Sequence, residues 1–270
     1  MSDSKSPPIL SHKYFDQPSV FVPENLLREA RRQKKLLDNS VPEICVLDPD
    51  GDIVQNLITL KKTYLNPYWA CYHTKLYDFE YDRIKFGIIG CAVGSSFAVL
   101  VAEELFASGC QLLISITSAG QIYPEKKPPY FMLIEKALRD EGTSYHYLPP
   151  SKYSTINKAL FEIIVDSLDK TAVPVHVGST WTTDAPFRET TAAIEYCRAQ
   201  RILAVEMEAA ALYAFAQAHH KPVICFANVT NQMGNVGEDF EKGVDSGSKD
   251  ALQIIVTVAK MWLTNHSGSS

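Results

Sequence analysis

The stretch Ala204-Val205-Glu206-Met207-Glu208-Ala209-Ala210-Ala211-Leu212-Tyr213-Ala214 places two carboxylates one residue apart, between an apolar segment and an alanine-rich run that continues to His219-His220. Ala, Leu, Phe and Gln favour helix, and nothing interrupts them before Lys221-Pro222. The two acids are therefore expected at a strand-to-helix junction, facing the crevice where α/β sheets bind ligands. A charge in that place needs a partner, inside the protein or in a ligand. The plainer alternative is a pair of glutamates that favour a helix N-terminus and its dipole.

Strand-like and helix-like runs alternate on both sides of this junction. Pro23 opens a helix over Glu24 to Leu37, and Ile44-Cys45-Val46-Leu47 reads as a buried strand that ends in the turn Asp48-Pro49-Asp50-Gly51-Asp52. Trp69 to Phe79 and Ile84 to Cys91 read as two strands, the second running into Gly90-Cys91-Ala92-Val93-Gly94-Ser95-Ser96 and a helix from Phe97 to Ala107. Gln111 to Thr117 is the next strand and ends in Thr117-Ser118-Ala119-Gly120-Gln121, where hydroxyls and backbone amides can cradle an anion or a sugar. Further elements are expected over 131–139 and Thr155 to Leu168, with Tyr145-His146-Tyr147 as a lid or an edge. Pro174 to Trp181 reads as a strand by alternation and flows into Thr182 to Thr190, with Arg188 at the start of a helix through Arg198. Pro222 to Val229 reads as a strand buried on both faces, ending in Thr230-Asn231-Gln232. A polar, Gly-containing flap over Gly234 to Ser248 and a final helix from Lys249 to Leu263 complete the pattern. The alternation argues an α/β fold: a single domain with a central mixed, largely parallel sheet flanked by helices.

A chain of 270 residues, 46% of them hydrophobic, can bury one large core. The expected layout is a flexible leader over 1–20, one domain over 21–263 and a flexible tail over 264–270. The net charge of -5 argues against a nucleic-acid polymer as partner. The basic run Arg28 to Lys35 reads as the solvated face of the first helix. Six cysteines without Cys-x-x-Cys spacing, mostly in apolar runs, read as buried free thiols of a reducing compartment. The first residues contain no apolar signal core, and no apolar run is long enough to span a bilayer, so a cytoplasmic chain is expected. No metal motif is present.

Val205-Glu206-Met207-Glu208-Ala209-Ala210 resembles the ribose-binding signature of the nucleoside phosphorylase superfamily, which includes purine nucleoside and uridine phosphorylases and methylthioadenosine nucleosidases. The Gly90–Gly94 turn before Glu103-Glu104-Leu105, the Thr117–Gly120 loop and the strand ending at Asn231 follow in the family's order. The resemblance implies a nucleoside phosphorylase-like fold over Ile44 to Trp262 and cleavage of a nucleoside to free base and pentose 1-phosphate. Inorganic phosphate would be co-substrate, with no other cofactor. It implies Glu208 on the sugar hydroxyls, with Met207 and Glu206 beside it, because one carboxylate can accept hydrogen bonds from two vicinal hydroxyls. It implies Phe187 or Trp181 stacked on the base, Asn231 at the departing base, and Thr117, Ser118, Gly51 and Arg188 around phosphate. It implies a homo-oligomer, a dimer or a trimer of dimers forming a hexamer, in which His73 or Lys75 reaches a neighbour's site. Two departures bear on the chemistry. Ile114-Ser115 stands where such phosphorylases carry an Arg, which removes a bidentate clamp on an oxyanion. Asn231 cannot donate a proton outright as an acid would. Hydrolysis by water, with Asp48 and Asp50 as the nearest acids after the first strand, and a non-catalytic nucleoside-binding homologue are the alternatives.

Overall fold

The computed structural model describes residues 7–168, 171–232 and 244–266. Helix α1 (Pro23–Lys34) leads into β1 (Ile44–Asp48), α2 (Asp52–Thr59), β2 (Thr63–Leu65), β3 (Tyr77–Tyr81) and β4 (Ile84–Gly90). Then follow α3 (Ser95–Ala107), β5 (Leu112–Gln121), β6 (Tyr130–Asp140), α4 (Ser144–Tyr147), β7 (Tyr153–Thr155), α5 (Lys158–Leu168) and β8 (Val175–Thr183). The chain closes with α6 (Thr191–Ala199), β9 (Ala204–Glu206), α7 (Ala209–His219), β10 (Val223–Gln232) and α8 (Ser248–His266).

All the strands join one mixed sheet. Strand β5 is its hinge. Its first residues pair in parallel with β1, its length with β10, and its last two residues antiparallel with β9. Because β10, β6, β8 and β9 are themselves paired in that order, the sheet closes on itself between β5 and β10, while β1, β4, β3 and β2 extend it as an open wing. Residues at or just beyond β1, β5, β8, β9 and β10 line one cleft. The interior strands read as continuous apolar runs because helices cover them, and all of Ile44–Asp48 is buried. Helix α7 is buried over Ala209–Phe215, with Tyr213 donating to the Ile134 carbonyl at 2.5 Å and accepting from Cys225 N at 3.1 Å.

Several expectations change. Trp69 to Phe79 is not one strand: only Tyr77–Tyr81 pairs, while Trp69 Nε1 turns inward to the Thr74 hydroxyl at 3.0 Å. The helix α2 and the strand β2 were hidden from the sequence reading, α2 because the acidic turn Asp48–Asp52 runs directly into its first residue. Arg188 belongs to a 3-10 turn (Pro186–Arg188), and the helix begins at Thr191 with the Thr190 hydroxyl accepting from Ala193 N. Tyr145-His146-Tyr147 lies in the short helix α4. The last helix runs to His266, beyond the expected start of the tail. Five cysteines are buried and Cys91 is exposed. Most of the expected flap, 233–243, lies outside the described residues, as do 1–6 of the leader and 267–270 of the tail. No described helix is long and apolar enough to cross a membrane.

Candidate active site

Strand β9 contributes three residues and stops at Glu206, and α7 starts at Ala209. The Glu206 carboxylate is 3% exposed and receives four donors. Its Oε1 accepts from the Thr180 hydroxyl at 3.0 Å and from the Thr182 hydroxyl. Its Oε2 accepts from the backbone N–H groups of Glu208 and Ala209, each at 2.7 Å. The two threonines share a face of β8 because they are two residues apart, and Thr182 lies in register with Glu206. The two amides are orphan donors of the α7 N-terminus, so Glu206 does the work of an N-cap from a strand end. Burial raises its pKa and the four donors oppose the rise. Sequence reading placed Glu206 at the ribose. Both its oxygens are instead committed inside the protein, and its part is to fix the backbone of Glu208.

Glu208 is equally buried and differently supplied. Its Oε1 accepts from Gly94 N at 2.8 Å, while its Oε2 makes no close hydrogen bond, the nearby Thr117 hydroxyl being directed to the Ser118 carbonyl at 3.4 Å. The glycine turn before α3 makes this contact. Gly94 has φ +91, a conformation that side-chain-bearing residues rarely adopt, although a Cβ there would meet nothing within 4 Å. The next residue ties down the other side, with the Ser95 hydroxyl donating to the Met207 carbonyl at 2.8 Å. Burial, then the charge of Glu206, raises the Glu208 pKa, against the Gly94 amide and the Thr117 hydroxyl.

Glu208 lines a cleft of about 390 Å³ at the rim of the sheet. Of the residues singled out in the sequence, Thr117, Ser118, Phe187, Glu206, Met207 and Asn231 line it as well. Strand β10 reaches it through a bulge: Val229 pairs with Ala119 but Asn231 pairs with Gly120, so Thr230 is the extra residue. A bulge re-aims side chains, and Thr230 and Asn231 both face the cleft, with Thr230 Oγ1 donating to Asn231 Oδ1 at 3.2 Å. Phe187 is 99% exposed, an aromatic face held at the mouth with no protein packing on it.

Sequence reasoning gave no role here to Glu189 and named Asp50, with Asp48, only as the nearest acid for hydrolysis by water. Glu189 lines the cleft two residues after Phe187, and burial pushes its pKa up to about 7. Its only sequence signal was proximity to Phe187. Asp50 also lines the cleft, and its Oδ2 accepts from the backbone N–H of Ser118 at 2.6 Å. A carboxylate is thus seated on an amide of the loop expected to hold phosphate. No Lys, Arg or His is among the described residues that line the cleft, while four carboxyl groups do: Asp50, Glu189, Glu206 and Glu208. No group of three or more described His, Cys, Asp or Glu side chains is placed to hold a metal ion.

Three residues expected at the site, Trp181, Gly51 and Arg188, are not among those that line the cleft. Trp181 is 4% exposed, packs with Ile122, Ile194, Cys197 and Ile202 and donates to Asp140 Oδ2 at 2.9 Å, so it fills core and cannot stack on a base. Gly51 caps α2 at φ +81, where a Cβ would lie 2.7 Å from Cys91 Sγ, so its part is to let the Asp50 turn pass close to β4. Arg188 is exposed and outside the lining residues. His73 is exposed, with its backbone N–H on Cys71 Sγ at 3.3 Å, and does not reach its own chain's cleft. Asp48 is buried, accepts from Val54 N at 2.9 Å and holds the turn; burial pushes its pKa up to about 7.

The phosphorylase superfamily model matches residues 43–260. The chain belongs to that superfamily. Among its relatives is a uridine phosphorylase of Thermococcus kodakarensis, 25% identical over 177 residues that cover 59% of this chain and 64% of the relative, so the match spans just under two thirds of that protein. Among solved structures, purine nucleoside phosphorylase of Toxoplasma gondii in complex with immucillin-H superposes with a TM-score of 0.70 at 16% identity, covering 84% of this chain and 93% of that one. The methylthioadenosine/S-adenosylhomocysteine nucleosidase of Campylobacter jejuni gives a TM-score of 0.66 at 17% identity, covering 82% of this chain and all of the other. These likenesses establish the fold; the family holds both phosphate-using and water-using members.

Proposed function

We propose that this chain cleaves the N-glycosidic bond of a nucleoside and that water is the acceptor. The observation that supports the substrate is Glu208 Oε2, a buried carboxylate oxygen at the cleft without a donor. Vicinal sugar hydroxyls supply donors of the right kind, and the carboxylate then stands beside a ring that gains positive charge as the bond breaks. Met207 lies against the sugar and Phe187 offers its face to the base. Asn231 holds the base edge through its amide, and Glu189 supplies the proton that an amide cannot, being poised near neutral pH. A 6-oxopurine, with a ring N–H beside a carbonyl, matches an amide and a carboxyl group together.

The seat of Asp50 on the Ser118 amide supports water as acceptor. It takes up a donor that an oxyanion would use and adds negative charge to the spot. A water hydrogen-bonded to Asp50 loses its proton to that carboxylate as its oxygen bonds to the anomeric carbon. The carbon–nitrogen bond breaks, and the base leaves with the proton from Glu189. The second reading keeps inorganic phosphate as co-substrate at Thr117 and Ser118, and the relatives named as phosphorylases favour it. It requires Asp50 to leave the Ser118 amide and a cation to arrive from beyond the described cleft residues. His73 of an adjoining subunit, in a dimer or hexamer, is the donor such an assembly would use.

The test is a panel of inosine, guanosine, adenosine, uridine and methylthioadenosine with and without phosphate, with free base and sugar product measured together. Free ribose formed without phosphate supports the proposal. Strict dependence on phosphate with ribose 1-phosphate as product establishes the second reading. Saturable binding without turnover leaves a nucleoside-binding homologue.

A further inference from the structure

A second cavity, of about 710 Å³, opens where β6 and β8 end, away from the catalytic cleft. Its walls include Ile9 and Leu10 of the N-terminal segment, Glu141, Tyr145, Pro150 and Asp184. Glu141 is 5% exposed. Its Oε2 accepts from Ser144 N at 2.9 Å, but its Oε1 is buried with no hydrogen-bond partner. The Arg139 guanidinium feels its charge but is not hydrogen-bonded to it, lying instead 4.4 Å from the centre of the Tyr145 ring. Arg139 also lines the cavity, yet its guanidinium is spent on neutral acceptors: Nε on the Ser144 hydroxyl at 2.8 Å, Nη1 on the Pro149 carbonyl at 2.8 Å and the Ser151 hydroxyl at 2.7 Å, and Nη2 on the Leu148 carbonyl at 3.2 Å. Asp184 contributes a second carboxylate, with Oδ2 on Gly142 N at 2.8 Å.

A buried carboxylate oxygen normally has a donor, and each exception calls for an explanation. In the catalytic cleft the same feature, at Glu208, marks the place of the substrate hydroxyls. No group of three or more described His, Cys, Asp or Glu side chains is placed here to hold a metal ion, and Ile9, Leu10, Tyr145 and Pro150 suit the carbon body of an organic ligand. We propose that this cavity binds a compact organic ammonium, its N–H groups donating to Glu141 Oε1 and to Asp184, and its alkyl part lying on the apolar wall. Asp184 stands two residues before the Pro186–Arg188 turn that carries Phe187, so an occupant sits next to the segment that closes the catalytic cleft.

The experiment is calorimetric titration of the full chain with ethylammonium chloride at constant ionic strength, with sodium chloride and sodium propionate as controls. Saturable binding of ethylammonium alone, weakened at least tenfold in Glu141→Gln and less in Asp184→Asn, is the expected result. Glu141→Gln keeps an acceptor for Ser144 N; if it does not fold, Asp184→Asn together with Tyr145→Ala carries the test. Absence of saturable binding to the native chain, or equal affinity in the folded variants, overturns the proposal. Nucleoside turnover plays no part in the readout, so the result stands apart from the catalytic reading.

Discussion

The Oε2 atom of Glu206 accepts the backbone N–H of Glu208 at 2.7 Å, so the acid that has no free oxygen fixes the acid that has one. Two glutamates that look alike in sequence divide into a structural carboxylate and a functional one, and substitutions should separate them.

Replacing Glu206 by Ala strands two threonine hydroxyls and two backbone amides in the interior. At about 1 kcal/mol or more for each stranded group, the loss should reach about 3–5 kcal/mol. Urea unfolding should show this as a lower midpoint, with turnover lost in parallel. An unchanged midpoint would sink the structural assignment.

Replacing Glu208 by Ala should cost less stability. It strands the Gly94 amide but also removes a buried carboxyl group that stands against the charge of Glu206, so the melting temperature should fall less than in Glu206→Ala while kcat/KM falls by about 10²-fold or more. A variant that binds nucleosides as the native chain does would show the sugar assignment to be mistaken.

Asp50→Asn tests the acceptor. The amide keeps an oxygen for Ser118 N but cannot take a proton, so hydrolysis should fall by about 10²–10⁴. Asp50→Ala frees the Ser118 amide altogether, and added phosphate should then raise turnover where it did not before. If neither variant alters the rate or the response to phosphate, Asp50 does not choose the acceptor.

Glu189 should give the pH profile its alkaline limb. It donates its proton only while protonated, so turnover of the bound substrate should decline as pH rises through about 7, the position to which burial pushes it. Glu189→Gln should lower the rate and remove that limb. A limb unchanged in the variant assigns the proton to another group.

Asp48 sets a stability prediction with a definite sign. Its folded pKa is about 7, above the value of about 3.9 expected in the unfolded chain. Between these values the folded chain binds more protons than the unfolded one, so this group makes stability fall as pH rises toward about 7 and is level beyond it. The fall is on the order of 4 kcal/mol. Asp48→Asn keeps an acceptor for Val54 N, and its unfolding free energy should be flatter across this range and higher at pH 8.

The sequence by itself determined the family and most of the elements. Apolar runs such as Ile44–Leu47 and Pro222–Val229 could only be buried strands, and the helix after Glu208 followed from its alanine-rich composition, because these are local properties of spacing and propensity. It also brought Thr117, Ser118, Met207, Glu208, Phe187 and Asn231 forward, all of which line one cleft. What only the tertiary structure decided is which partners each polar group meets. Phe187 was the first aromatic candidate and Trp181 the second; β8 carries Trp181 into the core and the following turn leaves Phe187 exposed. Glu206 and Glu208 were equal as acids until Thr180, Thr182 and Gly94 took their places around them. Asp50 looked like one acid in a turn until the pairing of β1 with β5 brought it onto the Ser118 amide. Such contacts join residues as many as 114 positions apart, and the sheet that closes that distance leaves no trace in local pattern.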